Sequence, residues 1–387
     1  MVSGVFEVSS NGVAGVIFPF LGRGIGGSHI STMTLAEELR RRGLRCLFVS
    51  PEATPFQEEL VRRGFDVVPS REAAADYWSA KEDVARIGSR RRLLRGQRLG
   101  DGFVLHCNDL PSFRSWVLPA RLEGFPVVYH HRSSNRFNVK RRLVMSLVSQ
   151  AICISETAMN ELGFLSETRK RLIWNPVEIA SGREFVGESR RDLRKSMGLA
   201  EDAKLVGFVG NFWARKRPFF FVDIAKQVLR QRPDIHFAVF GRAGEHSEED
   251  VSDYAAGEGI SNSISFLGFR SPPERNIAAL DLLVAPAIDE PFGRTLVEAC
   301  LLGVPYVATD DAGHGEIGRN WGGGVLVGKE KASGEYADVV VAALDNPASL
   351  RLDPFGLTKV ADNLSVIRHA DEVLDVYDYA LARRGGR

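Results

Sequence analysis

A chain of 387 residues is too long for one ordinary domain, so two domains are expected. Its 44% hydrophobic and 26% charged residues suit a soluble globular protein, and no apolar run nears the roughly 20 residues that span a bilayer. The net charge of +1 hides an asymmetry: residues 1–180 carry 25 Lys and Arg against 18 Asp and Glu, the remainder 25 against 31. The basic and acidic halves therefore point to different partners.

The stretch Met1 to Val8 lacks a basic region followed by an apolar core, so a cytoplasmic setting is expected rather than export. Cys46, Cys107, Cys153 and Cys300 lie far apart in apolar segments, without metal-ligand or disulfide spacing. Short apolar runs then alternate with helical patterns, the signature of parallel sheets covered on both faces. Strands are expected at Val13–Phe18, Arg45–Val49, Phe65–Val68, Phe103–Cys107, Val127–His130, Ala151–Ile154 and Arg171–Trp174. Helical periodicity fills Ile30–Arg42, Phe56–Arg63, Phe113–Leu122, Arg136–Val148 and Glu156–Leu162. Pro176, Gly182 and Gly187 interrupt the pattern around Asn175–Arg190, which reads as a connection.

The second half repeats the scheme, with strands at Leu205–Val209, His236–Phe240, Ile264–Phe266, Leu282–Ala285, Tyr306–Ala308 and Gly324–Val327. Helices are expected near Pro218–Gln231, Glu248–Gly257, Pro273–Leu280 and Thr295–Leu302, and a last one over Ser365–Ala382. The fold class is therefore α/β, with two Rossmann-like domains at 1–178 and 179–364 and a closing helix at 365–387. Open sheets of this kind bind ligands at the carboxyl ends of their strands, so a cleft between the domains is the expected site.

The segment from Pro286 to Glu316 carries the most chemistry. The strand ending at Ala285 opens into a loop holding Glu290, then Phe292 and Gly293, and a helix begins near Thr295 with Glu298 one turn inside. A helix start behind a glycine offers free backbone N–H groups and the positive end of the helix dipole, which suit a diphosphate. Two flanking carboxylates can accept hydrogen bonds from sugar hydroxyls. Thr295 and Glu298 also fit a capping box, in which Glu298 merely satisfies backbone donors. After the strand 205–209, Gly210, Asn211, Arg215 and Lys216 form a glycine-and-cation loop that can stabilise charge on a leaving phosphate. A solvated basic turn is the plainer reading of that cluster.

Taken together, Glu290-Pro-Phe-Gly, Glu298-Ala, Gly303-x-Pro305 and Gly313-x-x-Glu316 resemble the E-x7-E region of the retaining GT-B glycosyltransferases known as family 4, or group 1. The resemblance implies a metal-independent hexosyl transfer, with retention, from a nucleotide-diphosphate sugar to an acceptor hydroxyl in glycan, glycolipid or glycoside biosynthesis. No metal or further cofactor is implied. Glu290 would bind the transferred sugar, Glu298 the ribose, and backbone groups from Phe292 through Arg294 to Thr295 the sugar and phosphate. Lys216 and Arg215 would take the diphosphate, Asn211 standing where relatives often carry arginine. Gly268 and Phe269 would border the base, and the 365–387 helix would cross back to the first domain. A sugar-nucleotide epimerase and a silent nucleotide-sugar-binding scaffold are the rival readings.

In the first half, the loop from Phe20 to Ser28 is glycine-rich, and relatives use it, through Gly26 and Gly27, to border donor phosphates and the acceptor. Relatives also carry a histidine near the end of the fifth strand that lines the reaction centre; His131 takes that role here, with Arg132 as the alternative. His106 and Asn108 end the fourth strand and read equally well as a satisfied core. The arginines at 86, 90, 91, 92, 95 and 98, and the run from Lys140 to Val148, read as solvated helices or as a surface for anionic lipid carrying a lipid-linked acceptor. No aromatic platform accompanies them, so nucleic acid is not an expected partner.

Overall fold

The computed structural model describes residues 12–22, 25–70, 80–135, 137–179 and 185–383. Met1 to Val8, Arg23, Gly24, Arg136 and Gly182, each used in the reading above, lie outside the described residues. The chain divides into two compact units, one of residues 1–176 with 366–387 and one of residues 177–365.

The first unit holds a parallel sheet of β1 (Gly15–Pro19), β2 (Arg45–Pro51), β3 (Asp66–Ser70), β4 (Phe103–Cys107), β5 (Val127–His131), β6 (Gln150–Cys153) and β7 (Lys170–Leu172), in the order β3-β2-β1-β4-β5-β6-β7. Strands β1, β4, β5 and β6 are buried throughout, as expected of a parallel sheet covered on both faces. Val16, Phe48, Val128 and Ile152 pack there with Ala370, Val373, Tyr377 and Ala380 of the helix Val366–Ala382. The apolar positions of that helix recur at helical spacing, so the end of the chain completes the core of this unit. Arg42 anchors it further through an ion pair with Asp371 and a 3.0 Å bond to the Ile367 carbonyl.

The second unit has β8 (Leu205–Val209), β9 (His236–Phe240), β10 (Ile264–Phe266), β11 (Leu282–Ala285), β12 (Tyr306–Asp310) and β13 (Gly324–Gly328), parallel and in the order β10-β9-β8-β11-β12-β13. Each sheet reverses its strand order once, between β1 and β4 and between β8 and β11. Such a switch point leaves a crevice beyond the carboxyl ends, because the helices that follow the two central strands cover opposite faces. The loops leaving β8 and β11 contain the glycine-and-cation segment and the Glu290 segment respectively. Distant pieces of sequence are therefore neighbours for a topological reason.

Every expected strand exists, with ends shifted by a residue or two. The arginine segment holds the helix Ile87–Gly96, whereas helices at Ala80–Ala85, Ala312–Trp321, Ser333–Asp345 and Pro354–Asn363 escaped the periodicity reading. The expected connection around Asn175–Arg190 ends early, since the helix Phe185–Ser196 occupies its second part.

Candidate active site

The loop after β8 makes a short 3-10 turn, Ala214–Lys216, closed by Arg217 in the left-handed region at φ 55°. Glu245 accepts a 2.6 Å bond from the Ala214 N–H, and the Ile288 N–H donates to the Arg215 carbonyl at 2.9 Å. This pinning presents the side chains of Arg215 and Lys216 to the loop after β11. Lys216 Nζ lies 2.8 Å from Glu290 Oε2, and Arg215 pairs with the same oxygen. The Lys216 stem runs past Gly210, where even an added β-carbon would lie at an ordinary contact distance of 3.6 Å. Burial opposes the charge on Glu290, but Lys216 and Arg215 outweigh it and hold the carboxyl down to about 2. Glu290 is thus an anion at any ordinary pH, clasped by two cations.

Gly293, at φ 97°, starts the helix Arg294–Leu302 without a side-chain cap. A β-carbon there would sit 2.9 Å from the His314 ring, so position 293 needs glycine for its backbone angle and for its space. Gly313 donates its N–H to the Glu290 carbonyl at 2.8 Å, and a β-carbon on it would meet the Phe292 carbonyl oxygen at 2.5 Å. The Gly313-x-x-Glu316 segment therefore buttresses the Glu290 loop from behind. Glu316 is buried on the helix Ala312–Trp321.

With the helix beginning behind Gly293, Glu298 falls beyond the capping-box position, and the capping reading is set aside. Instead, Arg294 Nε donates to Glu298 Oε1 at 2.8 Å, one turn apart. Burial pushes the Glu298 carboxyl up, against the pull of Arg294. The two carboxylates thus differ in character, one firmly ionised and one more easily protonated.

The Asn211 side-chain oxygen accepts the Arg242 N–H at 3.1 Å, tying the loops after β8 and β9 together. The Gly268 carbonyl accepts the Gly241 N–H at 3.1 Å, and the half-exposed Phe269 ring carries the Arg242 guanidinium 3.6 Å above its centre. Sequence reasoning missed His314, buried beside Glu290, with neither ring nitrogen in a hydrogen bond of normal geometry. Burial lowers its imidazole to about 4, so the uncharged ring forms an apolar floor under the loop. Its position between Gly313 and Gly315 was the available signal.

In the first unit, Gly26 and Gly27 open the exposed start of the helix Gly27–Arg41, where the Gly26 N–H reaches His29 Nδ1 at 3.3 Å. His131 corrects the expectation placed on it. It is fully buried, with Nδ1 3.0 Å from the Tyr129 hydroxyl and Nε2 2.8 Å from Glu161, leaving no nitrogen for a ligand. Arg132, half-buried at the end of β5, is the group with chemistry to offer. It donates to Asn108 Oδ1 at 3.2 Å, to His130 Nδ1 at 3.0 Å, and to Asn175. Among the described residues no carboxylate pairs with it, and burial lowers its guanidinium to about 9. His130 also receives His106 Nε2 at 3.2 Å, whose Nδ1 takes the Tyr377 hydroxyl at 2.6 Å. Burial pushes both imidazoles well below their usual range, so neutral His130 can accept from Arg132.

Two family models match the chain: glycosyl transferases group 1 over residues 189–353, and glycosyl transferase 4-like domain over residues 26–161. The chain thus matches glycosyl transferase models over most of its length. It is 32% identical to the lipopolysaccharide core mannosyltransferase LpsB of Rhizobium meliloti, over 49% of this chain and 55% of that protein. It is 22% identical to an Escherichia coli UDP-Gal:alpha-D-GlcNAc-diphosphoundecaprenol galactosyltransferase, over 76% of this chain and 79% of that protein. A glycosyltransferase from Rickettsia africae superposes with a TM-score of 0.81 at 14% identity, covering 95% of this chain and 99% of that one. The Anabaena protein HepE in complex with UDP and glucose does so at 0.76 and 17%, covering 93% and 98%. The fold of this chain is GT-B.

Proposed function

We propose that the second unit binds a nucleotide-diphosphate sugar at the loops after β8 and β11 and passes the sugar, with retention, to an acceptor hydroxyl. The observation that carries this is the shared grip of Arg215 and Lys216 on Glu290 beside the uncapped start of the helix Arg294–Leu302. One carboxylate engages both cations, which leaves the cluster net positive beside the helix start. An arriving diphosphate supplies a stronger anion, takes over the cations and the helix N-terminus, and frees Glu290 to accept sugar hydroxyls. Glu298 then holds the ribose, and the Phe269 ring with Arg242 flanks the base.

In the transfer, the bond from the sugar C1 to the phosphate oxygen breaks and its electron pair departs with the nucleoside diphosphate. The acceptor oxygen bonds to C1, and its proton passes to the departing phosphate. Lys216 and Arg215 stabilise the charge that develops there, which is the task a metal ion performs in other transferases. Arg132, with neutral partners, is the acceptor-side or phosphate contact in place of His131.

The acceptor is a lipid-linked hydroxyl, reached by peripheral contact of the basic first unit with a membrane surface. Relatives named for lipopolysaccharide core and diphosphoundecaprenol-linked acceptors support this reading. Among the described residues no helix is long and apolar enough to cross a membrane. The test is Lys216→Ala assayed for turnover with saturating donor: a loss of about two to three orders of magnitude in kcat with an unchanged melting temperature is expected. Turnover near that of the unaltered enzyme would overturn the assignment.

A further inference from the structure

The first unit holds a cavity of about 340 Å³ that the transfer chemistry leaves unused. Its walls come from the helices Ala80–Ala85, Ile87–Gly96, Leu110–Leu122 and Val139–Met145, with Val84, Ile87, Leu110, Leu118, Val144 and Leu147 facing it. Around it the apolar surface continues into solvent: Val139 is 82% exposed, Leu143 72% and Val84 66%. Single exposed apolar side chains are ordinary, whereas a cluster around an apolar hole marks a binding surface.

Charge decides what kind of occupant fits. Asp83, the one carboxylate lining the cavity, is already met by Arg90 at 3.3 Å, Arg114 at 2.5 Å and the Ser115 hydroxyl at 2.8 Å. Lys140 and Arg141 stand among the lining residues beside the exposed Val139 and Leu143, and Lys140 has no carboxylate partner among the described residues. On the helix Ile87–Gly96, Arg91 and Arg95 pair with Glu123 at 2.6 and 2.7 Å. What remains is an apolar hole with a cationic mouth.

We infer that this cavity takes one hydrocarbon chain of an anionic membrane lipid, whose headgroup phosphate meets Lys140. The inference rests on the peripheral membrane contact proposed above and gives it a place. Val139 and Leu143, one turn apart on the same helix, enter the interfacial layer beside the chain, as apolar residues flanked by cations do on lipid-binding surfaces.

Leu147→Trp puts an indole at the cavity wall, and Leu143→Glu puts a carboxylate on the exposed face; neither residue belongs to the donor site. Vesicles of phosphatidylcholine, alone and mixed with phosphatidylglycerol, are sedimented with the protein at low salt. A second set carries bromine in the acyl chains. Binding to the mixed vesicles, at least about tenfold weaker in Leu143→Glu, is expected, together with acyl-bromine quenching of the introduced indole beyond that of the unaltered protein. Absence of binding to mixed vesicles overturns the inference, and so does binding without added quenching, which would leave only surface adsorption. Nucleoside diphosphate titration of the same preparations by calorimetry separates the two levels: intact nucleotide binding confines such a failure to the lipid cavity, and its loss removes the donor-site reading itself.

Discussion

Replacing Glu290 by Gln keeps the size of the side chain and removes the charge that Arg215 and Lys216 share. Its carboxyl is held at about 2 against an ordinary 4.5, a difference worth about 3 kcal/mol in favour of the folded state at pH 7. The sign follows from the depressed folded value: the contribution is complete above the unfolded value and is lost as pH falls toward 2. By pH 3.5 it shrinks to about 2 kcal/mol. Urea unfolding of the two proteins at pH 7 and pH 3.5 should therefore show a gap that narrows with acid. At the same time the two cations, relieved of their internal partner, should bind a bare nucleoside diphosphate at least as tightly as before. Sugar transfer should nonetheless fall by about two orders of magnitude, because the sugar hydroxyls lose a charged acceptor. Equal stability at pH 7 together with weaker nucleotide binding would refute the picture of Glu290 as a counterion that yields to the donor.

Gly293→Ala forces a β-carbon into left-handed backbone against the His314 ring, so it should cost about 1–3 kcal/mol and weaken nucleotide binding, as melting and calorimetry would show. His131→Ala should lower the melting temperature by removing a buried partner of Tyr129 and Glu161, yet leave nucleotide affinity unchanged; a selective loss of affinity would restore His131 to the site. His369, buried with its ring lowered to about 3, folds neutral while the unfolded chain binds a proton below its ordinary value. Stability is thus full above neutral pH and falls by about 2 kcal/mol on going to pH 5. His369→Leu should flatten that part of the pH profile, and an unaltered slope would count against the buried neutral imidazole.

The strands were legible because a parallel sheet buried on both faces writes itself as short apolar runs, as in Leu205–Val209 and Leu282–Ala285. The missed helices each hide that signal. Ala312–Trp321 contains Gly313, Gly315 and Gly318, which read as turns, yet tight packing against Phe292, Arg319 and Leu326 leaves no room for larger residues. Ser333–Asp345 is apolar over Val339 to Leu344 and shows no clear period, because the partly buried Val339 and Val341 and the exposed Ala342 are apolar as well as the buried Val340, Ala343 and Leu344. The site divides in the same manner. Glu290, Glu298 and Lys216 could be picked out by their place in a motif. Their pairing across 74 residues could not, since it depends on which two strands flank the switch point. His131 and Arg132 differ by one step along a strand end, and that single step sends one side chain into the core and the other toward the surface.

The central claim is that the loops after β8 and β11 bind and activate a nucleotide-diphosphate sugar. Release of nucleotide from UDP-, GDP- and ADP-sugars, measured for the unaltered protein and for Lys216→Ala, tests it most directly. The account predicts release from one donor that all but disappears in the variant. Equal release from both proteins would contradict it.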